Sequence, residues 1–304
     1  MRIGALSLGG VHRSERSDTR GGGKGVNVAR ALRCLGRSAD VLGFAGGHTG
    51  SAVIGLLGDE SIDVDVTRCA GETRSCLTVI DDERITVFNE SGPRIEASDW
   101  ERFHQSCLES MDGGIFVCSG SWSPGAPDDA VALLVEAARE RGCYTICDTA
   151  RSQLKAALAA EPDAIKPNIA EACQALGRDS AERVDTPAGS REVAIELAEA
   201  LLDLGPGNVI VSAGSHGAAL AQPGATSFFE PPPVDVVNPI GAGDSLVAGL
   251  ALRIADGSDL DAAMPFATAV SAASCETFAA GSLDASRVRE LTASPSSVAG
   301  AADA

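Results

Sequence analysis

The sequence has few aromatic residues and no long apolar run. Aromatic side chains make up 4% of its 304 residues and apolar residues 44%, so a core must be built from Val, Leu, Ile and Ala. No stretch of about 18 consecutive apolar residues occurs, so we expect no membrane-spanning helix. Residues 1–5 lack the long apolar region of a signal peptide, which favours a cytoplasmic location. The length suits one large α/β domain or two small ones.

Positive charge is scarce as well. The chain has 24 Lys and Arg against 42 Asp and Glu, which gives a net charge of −18 at pH 7. A nucleic-acid-binding surface needs clustered cations that displace counterions from phosphates, and the sequence has no basic patch. We therefore expect no nucleic-acid partner. Of the three lysines, Lys24 and Lys166 fall inside motif-like stretches, whereas Lys155 does not.

Cysteine is present, but without the spacing of a metal site or a disulfide framework. The nine cysteines are odd in number and include no CxxC pair, and most lie in apolar segments. This pattern predicts reduced, buried thiols of a cytoplasmic protein, with zinc binding as the alternative.

The most informative stretch is a glycine-rich turn, Gly241-Ala242-Gly243-Asp244, that leads into a helix. The valine-rich residues 234–237 before it predict a short strand. At such a helix start the backbone N–H groups are unpaired and point one way, which makes a site for an anion, most often phosphate. Asp244 would repel that anion unless it takes a proton from a hydroxyl that attacks the phosphate. The alternative is that Asp244 only caps the helix.

A second glycine turn, residues 21–25, also leads into a helix. Apolar residues at 28, 31, 32 and 35 follow helical spacing, and Gly36 suits the helix end. The turn is not a Walker A loop, because Gly25 rather than Ser or Thr follows Lys24. It is either a flexible turn or a surface that contacts a small ligand, with Lys24 and Asn27 near the helix start.

The rest of the chain predicts an α/β fold. Strands near 114–119, 143–147, 164–168 and 208–212 alternate with helices, and each ends in Gly, Ser, Asp or Asn. This order predicts a mostly parallel sheet, whose ligands bind at the carboxyl ends of the strands. Residues 77–80 and 85–88 predict a β-hairpin, which could be a flap over a site or part of a dimer interface. Arg74 at its root is either a surface charge or a phosphate ligand.

These motifs, in this order, resemble the ribokinase-like (PfkB) carbohydrate kinases, especially the 1-phosphofructokinase and tagatose-6-phosphate kinase branches. The likeness runs from about Val11 to Leu291 and rests on residues 21–35 and 240–245, with shorter matches at 71–74, 118–121, 166–168 and 211–214. It implies a mostly parallel central sheet flanked by helices, with a small β-hairpin lid. The kinase domain would span 1–292, with lid segments at about 1–13 and 74–92. The small, polar tail 293–304 is predicted to be disordered.

The resemblance implies an ATP-dependent kinase that converts fructose 1-phosphate to fructose 1,6-bisphosphate, with tagatose 6-phosphate as the alternative substrate. Asp244 would be the general base, and the amides of Gly241, Ala242 and Gly243 would hold the transferred phosphoryl group. Glu171 would organise Mg²⁺ through water, together with Asn168; by itself Glu171 also suits a helix start.

A homodimer through the lid is a further expectation. The remaining residues that the resemblance implies would contact the two substrates. The implied sugar-phosphate site consists of Gly22, Gly23, Lys24, Asn27 and Arg74. The implied nucleotide site consists of Lys166, Asn168, Ser212, Gly214 and Gly217. Asp148, which could cap the following helix, is not included in the predicted site.

One departure from the family pattern concerns its first strand and the Asn-Pro-Ala-x-Asp stretch after it. The only Asn-Pro here is Asn238-Pro239. If the chain starts at Met1, we expect a sheet without that strand and a sugar site without that carboxylate. The alternative function is then a catalytically impaired protein that binds a sugar phosphate or a nucleotide.

Overall fold

The computed structural model describes residues 1–7, 9–82, 84–179, 186–293 and 298–299. The chain divides into two compact units. The first unit consists of residues 1–22, 40–106 and 122–126, and the second consists of residues 23–39, 107–121 and 127–304. Within the described ranges no helix is both long and apolar enough to span a bilayer.

Helices and strands alternate over most of the described chain. The helices are α1 (Lys24–Cys34), α2 (Gly47–Asp59), α3 (Ala97–Ser110), α4 (Ala130–Glu140), α5 (Ser152–Ala159), α6 (Ile169–Leu176), α7 (Pro187–Leu202), α8 (Ala242–Ala255), α9 (Leu260–Cys275) and α10 (Ala285–Ala293). The strands are β1 (Val41–Ala45), β2 (Val64–Arg68), β3 (Cys76–Ile80), β4 (Ile85–Asn89), β5 (Gly114–Ser119), β6 (Cys143–Asp148), β7 (Ala164–Ile165), β8 (Val209–Ser212), β9 (Ala218–Gln222), β10 (Ala225–Phe229) and β11 (Val298–Ala299).

The first unit contains two small pairs of strands. β1 and β2 are parallel, and β3 and β4 form the predicted antiparallel hairpin. The chain start pairs with this hairpin, because the Ile3 amide donates to the Ile80 carbonyl at 3.1 Å and the Ile80 amide donates to the Met1 carbonyl at 2.9 Å. An aromatic cluster packs this unit, with neighbouring ring centroids 4.5–5.8 Å apart. Its members are Phe44, Trp100, Phe103 and Trp122. Both tryptophans of the chain thus lie in the smaller unit.

Helix α2 begins four residues before the predicted start at Ser51. Its first amides are satisfied from outside the helix by Glu72, whose carboxylate accepts hydrogen bonds from the amides of His48 at 3.1 Å and Thr49 at 2.9 Å. These bonds stabilise an N-terminal turn that the glycine-rich sequence alone does not predict.

The second unit is built on one mixed sheet with the order β11-β10-β9-β8-β7-β6-β5 in the described chain. Strands β5 to β8 are parallel, as predicted, and β8 to β11 pair antiparallel. The sequence did not indicate β9 and β10. β9 reads Ala-Ala-Leu-Ala-Gln, and alanine is depleted in strands. Pairing with β8 and β10 therefore stabilises β9 as a strand.

The core of the second unit surrounds α8, whose residues 244–251 are all buried. α8 packs against α1, α9, β5 and β6. The contact with α9 is close at Gly249, where a Cβ atom would lie 2.7 Å from the Cα of Ala267. Buried aliphatic side chains such as Leu250 and Met264 each contribute about 1.5–3 kcal/mol. This packing fixes the start of α8.

Three predictions concern the segments around this core. The predicted strand at 234–237 is wrong, because prolines at 231–233 precede it and the amides of Val237 and Asn238 instead donate to the Cys275 carbonyl. In the predicted tail, Ala293 ends α10 and residues 298–299 form β11, while the rest lies outside the described residues. The absence of the family's first strand stays a prediction.

Candidate active site

The start of α8 has the geometry of an anion-binding site. Gly241 is the N-cap, in a left-handed conformation with φ 89°. A Cβ atom there would lie 2.9 Å from the Gly281 nitrogen, so only glycine fits. The first bond to the N-cap runs from the Ser245 amide to the Gly241 carbonyl at 2.8 Å, while the Ala242 amide donates to the Pro239 carbonyl at 3.2 Å. The amides of Gly243 and Asp244, as first-turn groups, are left without a partner inside the helix.

Asp244 is the third residue of α8 and is 5% exposed. Its carboxylate does not cap the helix, so the alternative of a simple N-cap is wrong. Instead its Oδ2 accepts a hydrogen bond from the Nδ2 of Asn27 on α1, at 2.7 Å. A buried carboxylate beside unpaired helix amides is thus held by a side chain from a second helix.

Burial raises the pKa of Asp244 to about 6, and the negative charge of Asp148 adds to the rise. The bond from Asn27 and the positive charges of Lys24 and Lys166 act in the opposite direction. A carboxyl group with such a pKa is ionised at neutral pH and is still basic enough to take a proton. This environment suits Asp244 for general-base chemistry.

Asp148 lies at the centre of a charge cluster and is itself fully buried. It is the last residue of β6, is 0% exposed, and its Oδ1 lies 3.0 Å from Lys24 Nζ and 3.3 Å from Lys166 Nζ. Burial acts to raise the pKa of Asp148, but the charges of Lys166 and Lys24 outweigh it and hold that pKa below its ordinary value. The pKa of Lys24 is raised: burial lowers it, and the charges of Asp148 and Glu171 more than compensate.

Asp148 is not among the site residues predicted from the sequence. The suggested role as a helix cap is wrong, because the N-cap of α5 is Arg151. The available signal was its position, since Asp148 ends a buried parallel strand in register with Ser119. The Ser119 hydroxyl lies 3.4 Å from Asp148 Oδ2. Strand-end carboxylates of an α/β sheet are candidates on that ground alone.

The predicted nucleotide residues surround the carboxyl ends of β7 and β8. Buried Lys166 lies beside the start of α8, because its Nζ is 3.2 Å from the point that a Cβ on Gly243 would occupy. The Ser212 amide donates to the Pro167 carbonyl at 3.0 Å, which ties β8 to the turn after β7. Gly214 begins a 3₁₀ turn, and Gly217 follows it where a Cβ would collide with the Phe229 carbonyl oxygen.

Asn168 and Glu171 form a capping box at the start of α6. The Asn168 Oδ1 accepts from the Glu171 amide at 2.9 Å, and the Asn168 amide donates to Glu171 Oε2 at 3.0 Å. The other carboxylate oxygen, Oε1, lies 4.0 Å from Lys24 Nζ. In the described residues no group of three or more acidic, His or Cys side chains is placed to hold a metal. Glu171, with Asn168 beside it, suits a Mg²⁺ ion held through water, since Mg²⁺ keeps several waters and uses one or two carboxylates with substrate phosphates.

The predicted sugar-phosphate residues fall in both units. Gly23 is the N-cap of α1, and its carbonyl accepts from the Asn27 amide at 2.9 Å, so Gly23, Lys24 and Asn27 belong to the second unit with Asp244. Gly22 and Arg74 belong to the first unit, and both are exposed.

The comparisons with known proteins decide the family. A family model described as pfkB family carbohydrate kinase matches residues 3–286. The chain belongs to the pfkB family of carbohydrate kinases. The 1-phosphofructokinase of Bacillus subtilis (strain 168) is 31% identical over 244 residues, which is 80% of this chain and 78% of the relative. The ATP-dependent 6-phosphofructokinase isozyme 2 of Escherichia coli (strain K12) is 31% identical over 259 residues, 83% of this chain and 80% of the relative.

Solved structures of similar proteins agree with the fold. The crystal structure of the Escherichia coli phosphofructokinase-2 in complex with fructose-6-phosphate has a TM-score of 0.82 at 28% identity, with 96% of this chain and 93% of that chain covered. The Arabidopsis thaliana ribokinase, at 21% identity and a TM-score of 0.72, supports the fold alone. The predicted ribokinase-like fold and the predicted sugar kinase are therefore confirmed. Membership of the family implies ATP as the phosphoryl donor, usually with a divalent metal.

Proposed function

We propose that this pfkB kinase transfers the terminal phosphoryl group of ATP to fructose 1-phosphate, giving fructose 1,6-bisphosphate and ADP. The observation that carries the proposal is buried Asp244, held at 2.7 Å by Asn27 beside the unpaired first-turn amides of α8. The similarity to a 1-phosphofructokinase supports the choice of substrate. Fructose 6-phosphate is the second candidate, because a 6-phosphofructokinase matches at the same 31% identity. Tagatose 6-phosphate remains the alternative from the sequence.

In the proposed mechanism the Asp244 carboxylate takes the proton of the sugar hydroxyl as its oxygen attacks the terminal phosphorus. The new P–O bond forms while the bond to the ADP oxygen breaks, and ADP leaves with the electron pair. We propose that the amides of Gly243 and Asp244 donate to the phosphoryl oxygens, as a preorganised anion site requires. The resemblance implied the amides of Gly241, Ala242 and Gly243, but the Ala242 amide already donates to the Pro239 carbonyl. Mg²⁺, when bound, would neutralise phosphate charge, with Glu171 holding its water.

In this proposal Lys24 and Lys166 bind the phosphates of different substrates. Lys24, at the start of α1 and three residues from Asn27, is assigned to the sugar phosphate. Lys166, beside the start of α8 and next to the turn tied to Ser212, is assigned to the nucleotide phosphates. Both ammonium groups pair with Asp148, so they are held in place before any substrate arrives.

One observation favours an enzyme over a catalytically impaired binding protein, and a second favours a cytoplasmic setting. A pure binder has no need of a buried carboxylate whose pKa is raised to about 6 beside a phosphate site. All nine cysteines are free thiols, which supports our proposal of a reducing, cytoplasmic compartment.

An assay of ADP release with a panel of sugar phosphates tests the substrate. We expect the highest kcat/KM with fructose 1-phosphate and lower values with fructose 6-phosphate and tagatose 6-phosphate.

Arg74→Leu should raise KM for the sugar phosphate about 10- to 100-fold with kcat nearly unchanged, as for a lost charged hydrogen bond. Arg84→Leu, at the other end of the hairpin strands, is the matched control and should leave KM unchanged. A lack of turnover with every sugar phosphate would contradict the proposal.

We also propose a homodimer through the hairpin. Leu77 and Phe88 are paired in register across β3 and β4 and are 44% and 56% exposed. Exposed apolar strand pairs favour association. The Escherichia coli phosphofructokinase-2 has a tetrameric inhibited form, so this relative assembles. Sedimentation should give a dimer for the wild-type chain and a monomer for Leu77→Ser/Phe88→Ser; a wild-type monomer at micromolar concentration would exclude this interface.

A further inference from the structure

Arg30 is a buried arginine outside the predicted site. It lies on α1 and is only 4% exposed, although arginine is almost never fully buried unless it is paired. Its Nη1 donates to the Asn27 Oδ1 at 3.0 Å and to the Ala280 carbonyl at 3.2 Å. The residue therefore contacts the same asparagine that holds Asp244.

The bond from Arg30 determines which end of the Asn27 amide faces Asp244. A guanidinium group has only donors, so it pairs with the amide oxygen and leaves the amide NH₂ for the carboxylate. In the reverse orientation two donors would face each other at Arg30, and two oxygens would face each other at Asp244. Asn27 and Arg30 are three residues apart on α1, so their side chains are neighbours on one helix face.

Arg30 also fixes the loop that lies between Asn27 and the α8 turn. A Cβ on Gly281 would lie 2.7 Å from the Asn27 carbonyl oxygen, and a Cβ on Gly241 would lie 2.9 Å from the Gly281 nitrogen. The loop thus packs directly on both. Because Arg30 donates to the adjoining Ala280 carbonyl, one side chain connects α1, this loop and the start of α8.

We propose that Arg30 is a positioning residue for the general base: it acts through Asn27 to hold the Asp244 carboxylate toward the sugar hydroxyl. This inference rests on the proposed function, in which Asp244 is the base. Without Arg30 the Asn27 amide can turn over, the 2.7 Å bond is lost, and the carboxylate is free to rotate away from the hydroxyl.

The loss of Arg30 should also change the acidity of the base in a defined direction. The bond from Asn27 lowers the pKa of Asp244, so its loss raises that pKa. The charged groups that act on Asp244 from the packed elements are Asp148 on β6, Lys24 on α1 and Lys166 after β7, and an Arg30 substitution changes none of them. The acidic limb of the pH profile should therefore move to higher pH.

The experiment compares Arg30→Leu and Arg30→Lys with the wild-type enzyme over pH 5–8. We expect Arg30→Leu to lower kcat about 10- to 100-fold, in keeping with the loss of a hydrogen bond to a charged group. The KM for the sugar phosphate should change little, and the acidic limb should move to higher pH. Arg30→Lys retains a cationic donor and should recover part of both effects. In an Asn27→Leu background Arg30→Leu should lower kcat no further, because its effect passes through Asn27.

Several outcomes would overturn the proposal. One is a native fold with an unmoved acidic limb in Arg30→Leu; another is a full additional loss of kcat in the Asn27→Leu background. If Arg30→Leu does not fold, Arg30→Met, which also lacks a donor, serves instead, and an unchanged pH profile in that variant has the same meaning. If Asp244→Asn abolishes turnover while the Arg30 variants behave as wild type, only the Arg30 inference fails. If Asp244→Asn keeps full activity, the proposed function fails, and the inference fails with it.

Discussion

Asp244→Asn is expected to lower kcat about 10²- to 10⁴-fold, the usual contribution of a positioned general base. The amide has nearly the shape of the carboxylate, so the start of α8 and the binding of ATP should remain. ADP release measures the first effect, and calorimetry with ATP measures the second. The matched control is Asp261→Asn, which changes an exposed Asp in the first turn of α9 and should leave kcat unchanged. Near-normal turnover by Asp244→Asn would contradict the base assignment.

The pH profile provides a second measurement of the same prediction. Because burial and Asp148 raise the pKa of Asp244 to about 6, the wild-type kcat/KM should be full above that pH and fall as protons fill the base below it. The fall should approach tenfold per pH unit. The residual activity of Asp244→Asn should lack this limb. A wild-type limb near pH 4 would mean that the base is not in the buried environment that the structure shows.

Much of the site can be predicted from local sequence. Gly241 must be glycine because its φ is 89°, and Asp244 follows it at the helix start; both facts belong to one short segment. Lys24 and Asn27 likewise belong to one short segment, the second glycine turn and the helix start after it. The contacts that give Asp148 and Arg30 their proposed roles could not be identified in this way, because each set includes a partner far away in the sequence. Asp148 lies 124 residues from Lys24, and Arg30 reaches Ala280 across 250 residues.

The same contrast holds for the fold. The parallel strands β5, β6 and β8 have β-branched or aromatic residues at half or more of their positions, which is a local signal for a strand. Helix α2 starts early because Glu72, 23 and 24 residues away, binds its first amides. Residues 234–237 have a strand-like composition but no sheet partner, since Val237 is held by the Cys275 carbonyl. Long-range hydrogen bonds therefore decide the elements that local propensity predicts poorly.

Asp148→Asn is expected to destabilise the protein by about 3–5 kcal/mol, the usual cost of removing one partner of a buried ion pair. The carboxylate is 0% exposed, and Lys166, at 3% exposure, would keep its charge in the interior without a counterion. Urea unfolding at pH 7 measures the loss. Since the pKa of Asp148 lies below its ordinary value, its contribution is present at neutral pH and is lost only as the pH falls through the folded pKa.

Two matched variants show whether burial is the cause of this loss. Glu196→Gln breaks the ion pair with Arg178, whose side chains are 53% and 43% exposed and 3.0 Å apart, and should cost under about 1 kcal/mol. Adding Lys166→Met to Asp148→Asn removes the stranded charge and should restore part of the stability, though not turnover, because Lys166 is assigned to the nucleotide phosphates. Equal costs for Asp148→Asn and Glu196→Gln would mean that Lys166 reaches solvent and that Asp148 does not hold it in place for the nucleotide phosphates.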